Sequence, residues 1–129
     1  MAINVLIVDD SKIMRTMILK TLQMTGIPMG EIFQAGNGRE GLEALERNWI
    51  DLAIVDINMP VMNGEEMIDH MRGNPEMQDM PVVVVSTEGS ETRIARLEEK
   101  GVVFVHKPFE AETIRDTILD LLKLEADDE

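Results

Sequence analysis

The sequence predicts a doubly wound α/β domain, in which a five-stranded parallel sheet is covered by helices on both faces. Five short runs rich in β-branched residues are continuously apolar, as expected of strands buried on both faces. A helical pattern follows each run, and five such strand–helix units imply right-handed crossovers and a parallel sheet. The predicted strands span residues 4–8, 31–35, 52–55, 82–85 and 102–105.

The predicted helices are recognised by apolar residues at helical spacing. Ser11 is a good N-cap for the first helix, which ends before Gly26 and Pro28. The third helix stops near Gly73, and the fourth has the weakest apolar pattern. Methionines at these positions are expected to fill gaps in the core. The marking residues are Met14, Met17, Ile18 and Leu22; Leu42, Leu45 and Trp49; Met67, Ile68 and Met71; Ile94 and Leu97; and Ile114, Ile118, Leu121 and Leu122.

Composition limits the classes of function. At 129 residues the chain fits one domain, and only residues 125–129 resemble a frayed acidic tail. A formal net charge of −13 argues against nucleic-acid binding, because a duplex would repel the protein. The chain has no run of about 20 apolar residues, so we expect no membrane insertion. The absence of cysteine and of a signal-peptide pattern is consistent with a cytoplasmic protein.

Polar side chains follow four of the five predicted strands, at the point where each strand ends. Parallel strands have their carboxyl ends at one edge of a sheet, and ligands of open α/β sheets bind there. We therefore expect these side chains to meet in one crevice. Carboxylates, hydroxyls and an ammonium group in one crevice indicate a site for a divalent cation and a phosphoryl group. The side chains are those of Asp9, Asp10, Asp56, Ser86, Thr87 and Lys107.

Each of these residues also has a simpler explanation when it is considered alone. Asp9, Asp10 and Ser11 could merely cap the first helix, and the segment from Asp56 to Pro60 could be only a polar turn. Ser86 or Thr87 could cap the fourth helix, and the Lys107–Pro108 pair could start an ordinary loop. His106 is expected to be a bystander, and no histidine metal site is predicted. The functional interpretation rests on the convergence of residues from several strands.

The chain resembles the receiver domain of two-component response regulators, specifically the stand-alone chemotaxis type (CheY-like). The resemblance covers nearly the whole chain and would make residues 1–124 a receiver domain with the flavodoxin-like (βα)5 fold and strand order 2-1-3-4-5. It rests on four separated motifs in the correct order and spacing. They are Val8-Asp9-Asp10, Asp56-Ile57-Asn58-Met59-Pro60 with Gly64 behind it, Ser86-Thr87-Glu88, and Lys107-Pro108-Phe109.

The resemblance implies a role for each site residue. Asp56 would be the phosphoacceptor, attacking the phosphorus of a phosphohistidine on a sensor histidine kinase. Asp10 and Asp56 would bind Mg²⁺ or Mn²⁺ directly, Asp9 mainly through water, and Asn58 through its backbone carbonyl. Lys107 would pair with Asp56 at rest and with a phosphoryl oxygen after transfer, and its bond to Pro108 would be cis.

The family also implies a switch and a means of setting the lifetime of the phosphoryl group. Ser86 would move towards the phosphoryl group, and Phe104 would fill the space that Ser86 leaves. Phe104 replaces the tyrosine of the best-known chemotaxis regulators. Asn58 and Glu88 would orient the attacking water, giving an aspartyl phosphate that lasts seconds to minutes, while Thr87 would restrict access to it.

The expected function is that of a phosphorylation-activated single-domain response regulator, not a turnover enzyme. Its output would pass through the fourth helix, fifth strand and fifth helix to a flagellar motor switch protein or another downstream protein, and a monomer is expected. A phosphate sink or a phosphorelay intermediate is the alternative. A phosphatase of the haloacid-dehalogenase type is disfavoured because it needs a second Asp where Asn58 stands. A receiver-like module that is never phosphorylated is disfavoured by the intact acid set.

Overall fold

Five strands and five helices alternate along the chain in the computed structural model, which describes residues 2–123. The strands are β1 (Ile3–Val8), β2 (Met29–Ala35), β3 (Leu52–Val55), β4 (Val82–Ser86) and β5 (Val103–His106). The helices are α1 (Lys12–Met24), α2 (Gly38–Arg47), α3 (Gly64–Arg72), α4 (Glu91–Glu98) and α5 (Ala111–Leu122). The predicted acidic tail, residues 125–129, lies outside the described residues.

All four strand pairings of the sheet are parallel, and the strand order is β2-β1-β3-β4-β5. The predicted fold class and strand order are therefore confirmed. Val8, the last residue of β1, pairs with Ala35 on one side and with Val55 on the other. The strand order reverses beside β1, so the crevice between the carboxyl ends of β1 and β3 is the preferred ligand position of such a sheet.

Two apolar layers, one on each face of the sheet, hold the helices in place. Val5 and Ile7 of β1 point to the face covered by α1 and α5, where Ile18 and Ile118 are buried. Leu6 and Val8 point to the opposite face and belong to the core that includes buried residues of α3 and α4. Because successive strand residues face opposite sides, a strand buried on both faces must be apolar throughout.

Two expectations about the core are wrong. The second helix was expected to continue to Trp49, but α2 ends at Arg47 because Asn48 has an extended backbone. Trp49 is 80% exposed, and its indole nitrogen donates a hydrogen bond to Asp51 at 3.2 Å. Met17 is half exposed because Ile18 and Leu22 take the sheet-facing positions of α1.

The observed helix caps test two predictions: that Ser11 caps α1, and that Ser86 or Thr87 could cap α4. The hydroxyl of Ser11 accepts a hydrogen bond from the Met14 backbone at the start of α1, as predicted. The N-cap of α4 is Ser90, whose hydroxyl accepts from the Arg93 backbone. Ser86 and Thr87 are therefore not the cap of the fourth helix.

Among residues 2–123, no helix is long and apolar enough to cross a membrane.

Candidate functional site

The ends of β1 and β3 place two aspartates side by side. Asp9 and Asp56 each follow the last residue of their strand, and those two last residues are paired in the sheet. The Asp56 backbone nitrogen donates to the Val8 carbonyl at 2.9 Å, which extends the ladder by one step. The position of both carboxylates is therefore fixed by strand register.

Three carboxylates form a cluster at this edge. One oxygen from each of Asp9, Asp10 and Asp56 lies within 4.8 Å of the others. Asp9 is only 2% exposed, whereas Asp10 is exposed to solvent. The Oδ1 atom of Asp9 accepts a hydrogen bond from the Ser11 backbone at 2.9 Å, but its buried Oδ2 atom has no hydrogen-bond partner among the described residues. A buried carboxylate oxygen that accepts no hydrogen bond, beside two further carboxylates, fits a hard divalent cation with oxygen ligands.

Lys107 supplies positive charge to the cluster. Its Nζ atom lies 3.5 Å from Asp9 Oδ2 and 3.7 Å from Asp56 Oδ1. Its backbone nitrogen donates to the Ser86 carbonyl at 2.9 Å, which fixes the start of the loop after β5. The predicted cis bond between Lys107 and Pro108 is present.

The pKa of Asp56 is raised above the usual range of an aspartate. Burial is the main cause, and it outweighs the charge of Lys107, which lowers the pKa. The charges of Asp9 and Asp10 raise the pKa further, while a hydrogen bond from the Ile57 backbone lowers it. Repulsion within the acid cluster therefore adds to the cost of burying Asp56, and a bound cation would offset both.

The loop between β3 and α3 contains Asn58 and depends on Gly64. Asn58 is exposed to solvent two residues after Asp56. The Gly64 backbone nitrogen donates to the Ile57 carbonyl at 2.8 Å. A β-carbon at Gly64 would overlap the Asp56 carbonyl oxygen, so only glycine allows this close approach. The glycine of the sequence motif thus supports the residue at the centre of the site.

Ser86, Thr87 and Glu88 continue the edge on the other side of Asp56. Ser86 is buried, and its Oγ atom accepts a hydrogen bond from the Glu88 backbone at 3.1 Å. Thr87 is exposed. The carboxylate of Glu88 is bound by Arg93 at 3.0 Å and by the Ser90 backbone at 3.0 Å.

Phe104 lies on β5 opposite Val84 and is half-buried against the core that includes α3 and α4. Its ring meets the exposed His106 ring edge to face, with the ring centres 4.8 Å apart. Ser86 pairs with His106 across the sheet, so Phe104 and Ser86 belong to adjoining strands near the same edge. His106 is exposed and is not one of the three residues of the acid cluster.

Several residues near the site were not singled out by the sequence interpretation. The Arg15 guanidinium donates to the Asp9 carbonyl at 2.6 Å and to the Gln34 side chain at 3.0 Å. Val61, in the loop after β3, has a φ of +67° and is 74% exposed. A β-branched residue is rarely found in the left-handed region, so no sequence signal predicts Val61 there.

Comparison with known proteins gives one consistent result. Residues 5–119 match the family model described as "Response regulator receiver domain". A chemotaxis protein CheY homolog of Campylobacter jejuni is 33% identical over 121 residues, which are 92% of each chain. The chemotaxis protein CheY1 of Helicobacter pylori is 30% identical over 89% of this chain and 93% of its own length.

A solved structure agrees with these relatives. The chemotaxis response regulator CheY4 of Vibrio cholerae superposes with a TM-score of 0.82 at 33% identity. The superposition covers 95% of this chain and all of the other chain.

Proposed function

The chain belongs to the response regulator receiver domain family, and we propose that it is a single-domain regulator activated by phosphorylation of Asp56. The phosphodonor is a sensor histidine kinase, and Mg²⁺ is the cation that assists the transfer. The protein undergoes phosphorylation and dephosphorylation itself and does not turn over a separate substrate. The proposed kinase partner places it in the cytoplasm, where it acts as a monomer.

The observation on which this proposal rests is the position of Asp56 within the carboxylate cluster and beside the Lys107 ammonium. In the transfer, an Asp56 oxygen bonds to the phosphorus of the donor. The phosphorus–nitrogen bond to the histidine breaks, and its electron pair stays on the imidazole. Charge neutralisation and positioning dominate the catalysis of phosphoryl transfer. Lys107 reaches the Asp56 carboxylate already and can follow the charge onto a phosphoryl oxygen.

The cation would be held by Asp10 and Asp56, with Asp9 acting through water and Asn58 through its backbone carbonyl. When bound, Mg²⁺ would neutralise charge on the carboxylates and on the phosphoryl oxygens. The Oδ2 atom of Asp9 supports this assignment: it is buried and accepts no hydrogen bond among the described residues, with the Lys107 ammonium 3.5 Å away, and a cation-bound water would supply the missing hydrogen bond.

The proposed signal passes from Ser86 to Phe104. The buried Ser86 hydroxyl turns towards the phosphoryl group, and Phe104 moves into the vacated space. The adjoining strands of the two residues and the half-buried state of Phe104 support this scheme. The surface that changes comprises α4, β5 and α5, and α4 is the lightly anchored element, with only Leu97 fully buried.

The proposed lifetime of the phosphoryl group is seconds to minutes. Asn58 and Glu88 orient the water that hydrolyses it, and the exposed Thr87 restricts access to the group. Loss of the phosphoryl group within seconds to minutes would suit a chemotaxis response.

The relatives named as chemotaxis proteins support an output to a flagellar motor switch protein or to another downstream protein. A phosphate sink or phosphorelay intermediate is the second candidate, because it needs the same Asp56 chemistry. Binding of the phosphorylated protein to a motor switch component would favour the first candidate. Discharge of a kinase without such binding would favour the second.

The deciding experiment is incubation with acetyl phosphate and Mg²⁺, followed by intact-mass measurement. The wild type should gain one phosphoryl group, and Asp56→Asn should gain none because the amide is not a nucleophile. Asp116→Asn, a change of an exposed aspartate on α5, is the matched control and should be labelled like the wild type. Equal labelling of wild type and Asp56→Asn would overturn the proposal.

A further inference from the structure

Arg93 lies between two carboxylates beside the start of α4. Its Nη1 atom is 3.0 Å from Glu88 Oε1, and its Nε atom is 3.9 Å from Glu65 Oε1. The Nε atom is buried and has no hydrogen-bond partner among the described residues. Arg93 therefore holds Glu88 in this structure and has a second carboxylate just beyond hydrogen-bonding distance.

The Glu88 side chain is bound at both oxygens. Arg93 binds Oε1, and the Ser90 backbone nitrogen donates to Oε2 at 3.0 Å. The backbone of Glu88 is tied to the phosphorylation site instead, because its nitrogen donates to Ser86 Oγ. The backbone of Glu88 is thus held at the end of β4, which pairs with the strand before Asp56, while its carboxylate is held by Ser90 and Arg93 at the start of α4.

The charges that act on Asp56 and those that act on α4 agree with this separation between the backbone and the carboxylate of Glu88. The charges that shift the pKa of Asp56 are those of Lys107, Asp9 and Asp10. The pKa of Arg96 on α4 is raised by its hydrogen bond and ion pair with Glu65, and the charges of Asp69 and Glu88 add to the rise. The Glu88 carboxylate therefore belongs to the charge cluster between α3 and α4.

Loss of the phosphoryl group requires an attacking water. The water oxygen bonds to phosphorus, the bond between phosphorus and the Asp56 oxygen breaks, and its electron pair returns to the carboxylate. Both water protons leave on the product, H₂PO₄⁻. A carboxylate that accepts a hydrogen bond from the water helps to orient it. Glu88 can do this only when its carboxylate is free to turn towards Asp56.

We propose that Arg93 is a positioning residue that restrains the Glu88 carboxylate and so lengthens the lifetime of phosphorylated Asp56. Glu65 is the alternative partner that receives Arg93 when Glu88 turns away. This inference rests on the proposed phosphorylation of Asp56 and adds a residue that sets the rate of its reversal.

The test measures loss of the phosphoryl group after removal of the phosphodonor. Arg93→Ala should be labelled on Asp56 like the wild type, but its half-life should be roughly two- to fivefold shorter, the range expected for losing a partly exposed ion pair. Arg93→Lys, which keeps the charge, should restore most of the wild-type lifetime. Arg93→Gln repeats the test should the alanine variant fold poorly.

A double-mutant cycle shows whether Arg93 acts through Glu88. In a Glu88→Ala background, which has no side-chain oxygen for Arg93 to hold, Arg93→Ala should leave the half-life unchanged. Arg115→Ala is the matched control, because it removes the same charge from an exposed position on α5, where Arg115 binds its neighbour Asp116 and not the Glu88 or Glu65 side chains. Its half-life should equal that of the wild type.

The remaining outcomes contradict either the role of Arg93 or the phosphorylation of Asp56. An unchanged or longer half-life for Arg93→Ala would overturn the inference, as would an equal acceleration in the Glu88→Ala background. Failure of the wild type to be labelled at all would overturn the proposed function instead. The two failures are therefore distinguishable.

Discussion

Asp56 shows how burial prepares a side chain for chemistry at a cost in stability. Its side chain is 13% exposed and lies beside two other carboxylates and one ammonium group. Burial raises the pKa of Asp56 although Lys107 opposes the rise. The ammonium group at 3.7 Å thus offsets the burial of Asp56 and the repulsion of its neighbours only in part, and a bound cation would offset more of both.

The raised pKa of Asp56 predicts that the difference in stability between the wild type and Asp56→Asn depends on pH. Between the ordinary aspartate pKa of about 3.9 and the raised value, the folded state binds more protons than the unfolded state. The free energy of unfolding of the wild type therefore falls as pH rises through this window. Asp56→Asn has no carboxyl group at this position and so does not lose stability in this way. Its stability relative to the wild type should therefore grow from pH 4 upward and then become constant.

Urea unfolding of both proteins in EDTA, from pH 4 to pH 8, measures this difference. Asp116→Asn removes the same charge from an exposed position and should show no comparable trend. An advantage of Asp56→Asn that shrinks as pH rises would show that the sign of the shift is wrong.

At the scale of elements, α4 is held to α3 mainly by charged side chains. Glu65 on α3 accepts two hydrogen bonds from Arg96, at 2.7 and 3.0 Å. Lys100, just after α4, binds Asp69 of α3. Leu97 is the fully buried residue of α4, so ion pairs supply a larger share of the attachment here than at α1 or α5. Such an attachment permits movement more readily than an apolar interface.

Glu65→Gln should weaken this attachment by about 1 kcal/mol at low salt, because partly exposed ion pairs contribute about that much. The loss should largely disappear in 1 M NaCl, where the Debye length is about 3 Å. Denaturant unfolding at both salt concentrations is the measurement. Glu98→Gln, at an exposed position of α4, is the control and should change little. A loss that is equal at both salt concentrations would mean that packing, not charge, is what Glu65 provides.

For the molecule as a whole, the acid cluster links cation binding to folding. An unfolded chain does not hold Asp9, Asp10 and Asp56 together, so a cation that binds the folded cluster must stabilise it. The strong net negative charge of −13 adds a general attraction for cations, which a control must separate from the site.

Added Mg²⁺ should raise the melting temperature of the wild type. At a concentration ten times the dissociation constant, the gain in stability is about 1.4 kcal/mol, which corresponds to a few degrees for a domain of this size. Thermal unfolding in Mg²⁺ and in EDTA measures the gain. Asp10→Asn should lose most of it, and Asp116→Asn, with the same change in net charge, should keep it. An unchanged melting temperature of the wild type would contradict the cation site.

The sequence by itself determined the fold class, the strand order through the family resemblance, and the residues at the carboxyl edge. The fold class and the edge residues follow from chain-local signals, because an apolar run followed by a polar residue marks a strand end wherever the strand is placed. The functional roles of those residues remain predictions. The resemblance to receiver domains is confirmed by the family match over residues 5–119.

Only the tertiary structure decided which distant side chains meet. Glu88, Arg93 and Glu65 form one charge cluster because α3 packs beside the start of α4, and nothing in their spacing along the chain encodes that contact. Trp49 is exposed because α2 ends at Arg47, before the extended Asn48, although the helical spacing of Trp49 predicts that it is buried. Periodicity reports the average face of an element, whereas helix ends and contacts between elements depend on competing interactions across the whole fold.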